Sequence, residues 1–263
     1  MTTHHSSPVP ILFLGHGSPM NTLDDNAFSC AWRELGARLP RPRAILCISA
    51  RWVTHGVAVT AMEWPETSHD FHGFPRALAD FDYPAPGEPA LARRVAELLA
   101  PEPVGLDLDW GLDHGTWCLL AHLFPAADIP VVQLSLDATR PVEAHHALGM
   151  RLRPLRDEGV LILASGNVVH NLGHMDWRRP DAGYDWAERF NTRVRHALES
   201  VDAAALLRLD DADAALAVPT PEHYLPLLYI AALADPGESP HFVNDALCYG
   251  AIGMLGAGYG LAP

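Results

Sequence analysis

The chain has 263 residues, 49% of them hydrophobic and 19% charged, so it is long enough to bury a full core, and we expect one domain spanning residues 1–263. The formal net charge of −14 argues against a nucleic-acid surface, because a phosphate backbone would be repelled without a basic stripe, and the sequence has none. No run approaches the roughly 20 apolar residues that a membrane span needs. Lysine is absent, which excludes a Schiff-base mechanism and a P-loop lysine.

Two features bear on the cellular compartment. The four cysteines are scattered without a Cys-x-x-Cys pair, which favours reduced, buried thiols over a zinc knuckle or a disulfide framework. Residues 1–8 are polar and lack the apolar segment of a secretory signal, so we expect them to be flexible and the protein to be cytoplasmic.

Predicted strands and helices alternate along almost the whole chain. Short apolar runs predict strands at residues 9–14, 43–49, 57–62, 129–134 and 160–164. Helical spacing of apolar residues predicts helices from Asp24 or Asp25 to residue 35 and at residues 91–99, 116–123, 141–156 and 184–199. Residues 246–255 predict a late strand that either closes the sheet or lines the cleft. This order indicates an α/β fold with a mostly parallel central sheet and helices on both faces.

Three histidines follow predicted strands or turns and are flanked by small or rigid residues. His16 stands between two glycines after the first strand. His170 follows the polar end of the apolar strand near residue 164, and His223 begins a predicted helix behind a proline. Imidazole is the commonest protein ligand for divalent transition metals, so three such residues on one rim suggest a metal site. The alternatives are a helix cap for His16 and an ordinary first-turn position for His223.

Two further segments carry candidate chemistry. Asp113 and His114 place a carboxylate beside a histidine, which suggests a general acid/base; the alternative is that Asp113 caps a helix. Residues 69–75 are rich in aromatic side chains and form either one wall of a substrate pocket or a packed loop anchored by Phe71 and Phe74.

Seven motifs occur in order over nearly the whole chain, at residues 14–21 (LGHGSPMN), 69–71 (HDF), 73–75 (GFP), 83–87 (YPAPG), 113–117 (DHGTW), 165–171 (SGNVVHN) and 220–227 (TPEHYLPL). They closely resemble the motifs of the DOPA 4,5-dioxygenase family. This family is a branch of the class III extradiol ring-cleaving dioxygenases and is related to the catalytic subunit of protocatechuate 4,5-dioxygenase.

The resemblance implies a mononuclear non-haem metal in a cleft at the strand ends. By position, His16, His170 and His223 correspond to metal-site histidines, and His114 corresponds to the acid/base that handles the catechol proton. In such enzymes a catechol chelates the metal through both hydroxyls, and O2 is added as the ring opens beside the hydroxyls. Fe(II) would support activity, and Zn(II) in the same site would give an inactive protein.

One position departs from the family's pattern. The family usually reads Ser-Ala-His-Trp after the second strand, with that histidine a metal ligand, whereas this chain has Arg51 before Trp52. A guanidinium stays protonated and cannot ligate a metal, and it would repel a dication unless it points away or pairs with a carboxylate.

Three outcomes are open at this position. The remaining histidines hold the metal alone, or His55 reaches in as a substitute ligand from the same face of the extended segment. In the third outcome the metal is lost and Arg51 binds an anionic substrate group through its planar fork.

Two functions from different classes follow. As an enzyme, the chain would be an extradiol dioxygenase acting with a metal and O2 on a catechol-type, DOPA-like aromatic, with Arg51, Trp52, His69 and Phe71 around the substrate. As a degenerate, metal-poor member, it would bind a small aromatic acid or a partner without turnover. Retention of the other motifs favours the enzyme. The sequence does not identify the substrate, and we expect a monomer or small homo-oligomer without nucleic-acid or membrane partners.

Overall fold

A computed structural model of the chain describes residues 8–261, so the segment expected to be flexible lies almost wholly outside the described residues. The strands of this range are β1 (Ile11–Gly15), β2 (Ala44–Thr54), β3 (Val57–Thr60), β4 (Val104–Asp107), β5 (Val131–Asp137), β6 (Val160–Gly166), β7 (His241–Val243), β8 (Leu247–Cys248), β9 (Ile252–Gly253) and β10 (Gly256–Tyr259). Within residues 8–261, eight of them form one sheet in the order β4-β3-β5-β2-β6-β1-β10-β7, and β8 pairs with β9.

The centre of the sheet is parallel, as the sequence predicted. β2 lies between β5 and β6 and is parallel to both, and β6 is also parallel to β1. In this register Gly15 pairs with Gly166, and Ser49 pairs with Ser165. The carboxyl ends of three neighbouring strands therefore meet at one edge, which is where open α/β sheets place their sites.

Helices cover both faces of the sheet, which confirms the predicted fold class. They are α1 (Ala27–Arg38), α2 (Arg76–Ala79), α3 (Pro89–Leu99), α4 (His114–Leu123), α5 (Val142–Arg151), α6 (Pro154–Asp157), α7 (Asp185–Glu199), α8 (Ala203–Leu207), α9 (Ala212–Ala217) and α10 (Leu225–Leu233). α1 and α4 pack on one face, and α3, α5, α7 and α10 pack on the other. Among the described residues, no helix combines the length and apolar character of a membrane span. The four cysteines are free thiols.

Two predicted helices differ from the helices observed in the structure. The helix expected over residues 141–156 is divided, because α5 ends at Arg151 and Pro154 begins α6. Proline has no N–H and cannot continue the hydrogen-bond ladder of the preceding helix. The cap of α1 is Asn26 rather than Asp24 or Asp25, and its side chain accepts the backbone N–H groups of the first helical turn.

The prediction of a single late strand at residues 246–255 is wrong. Tyr249 and Gly250 both have positive φ, 51° and 79°, and they divide the segment into the β8–β9 hairpin. Ile252 forms a β-bridge with His170, and β10 then pairs with β1 in the main sheet. This part of the chain therefore lines the histidine region first and closes the sheet afterwards.

Asp137, at the end of β5, is buried and holds the turn between β2 and β3. Its carboxylate accepts the N–H groups of Gly56 and Thr139, each at 3.0 Å, and pairs with Arg140 at 3.0 Å. Burial alone would raise the pKa of Asp137, but these bonds outweigh it and lower the pKa to about 2. Because the folded-state pKa lies below the unfolded value, the ionised carboxylate stabilises the fold above about pH 4. That contribution is lost as the pH falls from about 4 toward 2.

Asp137→Asn is therefore expected to lower the free energy of unfolding by about 1–2 kcal/mol at pH 7 and by less at pH 3. Urea denaturation at the two pH values measures the difference. Asp80→Asn, at an exposed position after α2, is the matched control. An equal loss of stability at both pH values would contradict the assignment of this effect to the ionised carboxylate.

Candidate active site

His16 lies in the loop that follows β1, at the carboxyl edge of the sheet. Its backbone N–H donates to the carbonyl of Gly166 at 3.1 Å, which carries the β1–β6 pairing one residue further. Gly17 has a φ of +60°, which glycine adopts without strain, so the chain turns away at once. Only 2% of His16 is exposed, and its ring is held inside the edge rather than in solvent.

Ser165, in β6, determines which nitrogen of His16 carries the hydrogen. Ser165 Oγ donates its single hydrogen to the Gly115 carbonyl and lies 3.0 Å from His16 Nδ1. Because that hydrogen is already in use, His16 Nδ1 is the donor, and its Nε2 keeps a free lone pair. His16 is therefore in the tautomer that binds a metal through Nε2.

His170 and His223 lie against each other at the same edge. The N–H of His170 donates to the carbonyl of Ala217 at 2.9 Å, and the carbonyl of His223 accepts the N–H of Asn167 at 2.8 Å. Their rings are stacked, with centroids 3.4 Å apart and planes inclined by 6°. The ring of His223 is 5.5 Å from that of His16. The structure thus brings together the three histidines that the sequence singled out.

Gly166, the last residue of β6, allows His223 to reach this position. A Cβ added at residue 166 would lie 2.2 Å from the His223 carbonyl oxygen, far inside van der Waals contact. Gly166→Ala is therefore expected to displace His223 and to lower the free energy of unfolding by about 1–3 kcal/mol, as overpacking does. Denaturant unfolding measures this, with Gly105→Ala as the control, because a Cβ there meets nothing nearer than 3.8 Å. Equal stability of the two variants would contradict the packing argument.

The surroundings of His16, His170 and His223 hold all three rings in the neutral form. Burial lowers the pKa of His16 well below its usual value, and the neighbouring histidines and Arg51 lower it further. Burial and the proximity of His223 lower the pKa of His170 to about 3. Burial also lowers the pKa of His223, against the opposing effect of the Glu222 carboxylate. Neutral imidazole is the form that binds metals, so protons do not compete for these rings at neutral pH.

The three rings suit a divalent metal in their chemistry. His223 Nδ1 is buried without a hydrogen-bond partner, with Glu222 Oε1 3.5 Å away, and His16 Nε2 has a free lone pair. Stacked rings direct their lone pairs along parallel planes, however, and in the described part of the chain no group of three or more His, Cys, Asp or Glu side chains has metal-binding geometry. The donor set therefore fits a divalent metal in its chemistry, although the stacked rings are not arranged as a ligand set in this structure.

His114 begins α4 beside this group, with its ring 5.7 Å from that of His16. The carboxylate that contacts it is Asp70, whose Oδ1 lies 2.6 Å from His114 Nδ1. Asp113, the carboxylate next to His114 in sequence, is the cap of α4 and accepts the N–H of Thr116 at 3.1 Å. Its carboxylate also accepts the hydroxyl of Ser49 at 2.7 Å. The structure therefore confirms that Asp113 caps α4, and the carboxylate in contact with His114 is Asp70.

Arg51 points to Asp70. Its Nε donates to Asp70 Oδ2 at 2.7 Å, and its Nη2 donates to the Asp70 carbonyl at 3.4 Å. A carboxylate therefore neutralises the cation that would otherwise repel a dication. This pairing removes the electrostatic objection to a metal at His16, His170 and His223, and their role as ligands stays a prediction.

The other predicted residues lie at unequal distances from the histidine group. His55 is exposed in the turn between β2 and β3, and no ring contact within residues 8–261 joins it to the three histidines, so the structure gives no support to a substitute ligand there. Trp52 is 2% exposed and stacks on Trp110 with ring centroids 5.5 Å apart. It therefore has no open face for a substrate.

The aromatic segment at residues 69–75 does reach the site. The ring of Phe71 lies 5.7 Å from that of His114 and 5.8 Å from that of His69. Phe74 contacts Phe71 with ring centroids 5.2 Å apart and is partly exposed. These side chains form an aromatic wall beside His114.

Sequence reasoning missed two partners of the histidines, Asp70 and Ser165. Asp70 is 44 residues from His114 in sequence, and no spacing rule connects a loop residue to a distant helix start. Ser165 could have been found, because the end of its predicted strand lies at the same sheet edge as His16.

Residues 1–260 match the family described as the catalytic LigB subunit of aromatic ring-opening dioxygenase. The chain belongs to this family. A relative from Escherichia coli (strain K12), named 4,5-DOPA dioxygenase extradiol, is 50% identical over 255 residues, which are 95% of this chain and 94% of the relative. A protein of the same name from Beta vulgaris is 39% identical over 243 residues, 89% and 90% of the two chains.

The fold agrees with this assignment to the LigB family. The crystal structure of an uncharacterized protein from Escherichia coli K12 matches with a TM-score of 0.84 at 46% identity and covers 96% of this chain and 100% of that one. LigB proteins are ring-cleaving dioxygenases, so this chain is an oxidoreductase of that class, as the sequence predicted. The family implies an aromatic substrate, O2 and, in general, a metal cofactor. The degenerate, non-catalytic alternative is not favoured.

Proposed function

We propose that this LigB family member opens catechol-type rings at the bond beside the two hydroxyls, with a mononuclear non-haem metal and O2. The observation that carries the proposal is the convergence of the neutral His16, His170 and His223, with His114 next to them. The relatives named 4,5-DOPA dioxygenase extradiol make DOPA-like catechols the first substrates to test.

His16, His170 and His223 would hold the metal and leave other positions open. When bound, the metal would supply Lewis acidity toward the catechol hydroxyls and electron transfer with O2. Imidazole ligands suit both iron and zinc. Fe(II) is the metal of the active enzyme in this proposal, and Zn(II) occupies the same histidines without supporting turnover.

His114 handles the protons of the reaction in this proposal. Its ring takes a proton from a catechol hydroxyl as the substrate binds and returns one as the ring opens. Proton transfer by a positioned side chain contributes about 10²–10⁴-fold to a rate. Phe71 and His69 supply an aromatic wall beside His114 that orients the planar substrate and excludes water.

The proposal is tested with protein reconstituted anaerobically with Fe(II) and then given O2 and a panel of catechols. We expect O2 uptake and a yellow ring-opened product that contains both atoms of isotopically labelled O2. The monomethyl ethers of the same catechols are the matched control, because they cannot chelate through two hydroxyl oxygens. If iron-loaded protein takes up no O2 with any catechol, the proposal is wrong.

A further inference from the structure

The Asp70 carboxylate connects two groups for which the sequence suggested unrelated roles. Oδ1 lies 2.6 Å from His114 Nδ1 and also accepts the backbone N–H of His114 at 3.2 Å. Oδ2 accepts Nε–H of Arg51 at 2.7 Å. Because each oxygen has its own partner, the carboxylate is held in one orientation.

We propose that Asp70 and Arg51 are positioning residues for His114. Together they hold its ring in the tautomer with the hydrogen on Nδ1, so that Nε2 is the atom that exchanges a proton with the substrate. This inference rests on the function proposed above and adds two residues to it.

The charge of Asp70 decides where the hydrogen lies. Burial alone would raise the pKa of Asp70, but the hydrogen bond with His114 and the contact with Arg51 reverse this and hold the pKa well below its usual range. An ionised carboxylate has no hydrogen to donate, so the hydrogen in the 2.6 Å contact belongs to Nδ1. In the neutral ring the lone pair is then on Nε2.

The packing around His114 leaves its ring little freedom. Phe71 lies 5.7 Å away, Trp117 lies 6.5 Å away and His16 lies 5.7 Å away, all measured between ring centroids. The His114 side chain is only 7% exposed. With the Nδ1 edge anchored on Asp70, the other nitrogen has a fixed direction, which a proton-transfer group needs.

Arg51 supplies the second anchor of the carboxylate. Its guanidinium is always charged and donates in a fixed plane, so it holds Oδ2 while Oδ1 serves His114. A surface ion pair of purely structural value would change stability when broken, but it would not change the tautomer of a neighbouring ring. This difference separates a positioning role from a structural one.

The tautomer can be measured directly by NMR. The full-length chain is labelled with ¹⁵N at histidine and examined with and without Zn(II) by long-range ¹H–¹⁵N correlation, and the His114 signals are assigned by their loss in His114→Gln. We expect the wild-type His114 ring to carry its hydrogen on Nδ1. In Asp70→Asn, Arg51 attracts the amide oxygen, so the NH2 group faces His114, and we expect the hydrogen to move to Nε2.

Two further variants complete the NMR experiment. Asp70→Ala removes the acceptor altogether and is expected to populate the Nε2–H form as well. Asp128→Asn is the matched control, because it breaks the exposed Arg41–Asp128 pair away from the site and is expected to leave the His114 signals unchanged. Hydrogen on Nε2 in the wild type, or an unchanged tautomer in both Asp70 variants, would overturn the proposal.

Steady-state kinetics of the Fe(II)-reconstituted protein provide a second test. Asp70→Asn and Arg51→Gln are expected to lower kcat by roughly 10–100-fold, as loss of an orienting partner does, while KM for the catechol changes little. Arg51→Lys keeps the charge without the planar fork and is expected to recover part of the loss. A kcat for Asp70→Asn equal to that of Asp128→Asn would contradict the inference. The NMR result decides the positioning claim without turnover, whereas an inactive wild type with the expected tautomer would refute the proposed function instead.

Discussion

Replacing His114 with glutamine is expected to lower kcat for catechol cleavage by about 10²–10⁴-fold and to leave the metal content unchanged. Glutamine keeps the polarity of the side chain but cannot exchange a proton near neutral pH. The ring of His114 contacts that of His16, but Asp70 holds its Nδ1, so it stands beside the three-histidine group rather than within it. Steady-state O2 uptake and metal analysis of the same sample measure both quantities.

The control for this variant is His196→Gln, at an exposed position on α7. It removes an imidazole of similar chemistry away from the site and is expected to retain full activity. Loss of the metal in His114→Gln would assign His114 to the ligand set, and an unchanged kcat would remove it from the mechanism.

Replacing His16 with alanine is expected to abolish stoichiometric metal binding. Loss of a residue that only orients a ligand costs about 10–100-fold in affinity, so loss of a ligand itself is expected to cost at least about 100-fold. Activity should fall with the metal, because the Ser165 contact at Nδ1 leaves the Nε2 lone pair of His16 free to bind it. Metal titration of the stripped protein, followed by O2 uptake, measures both effects.

His55→Ala is the matched control for His16→Ala. It tests the substitute-ligand hypothesis at the same time, because the exposed His55 is expected to contribute nothing to the metal. A His55→Ala protein that loses its metal, or a His16→Ala protein that keeps it, would reverse the assignment of the ligands.

The fold could be predicted from the sequence where the pattern of apolar residues alone determines the structure. β1 and β6 are buried along their whole length, and such continuous apolar runs are typical of the centre of a parallel sheet. The pattern fails where a single residue interrupts the backbone. Pro154 divides a helix that looks continuous in its apolar spacing, and the positive φ of Tyr249 turns an apparent strand into a hairpin. Neither interruption changes the hydrophobic pattern on which the prediction rested.

The site could be predicted in part for the same reason. His16 and His170 follow strands, and strand register alone brings Gly15 and Gly166 side by side. The partners of the histidines depend on tertiary contacts that no local pattern encodes. Asp113 is adjacent to His114 in sequence but points into the core to cap α4, whereas Asp70 arrives from a distant loop. The orientation of Arg51 depends on the same loop, because the loop supplies its partner carboxylate, Asp70.

The most direct test of the three-histidine site is a single reconstitution. The protein is stripped of metal, reconstituted anaerobically with Fe(II), analysed by inductively coupled plasma mass spectrometry, and then mixed with O2 and a catechol. We expect about one iron per chain and the yellow colour of a ring-opened product. Folded protein that binds no metal under these conditions would contradict both the metal site and the ring-cleaving function proposed for it.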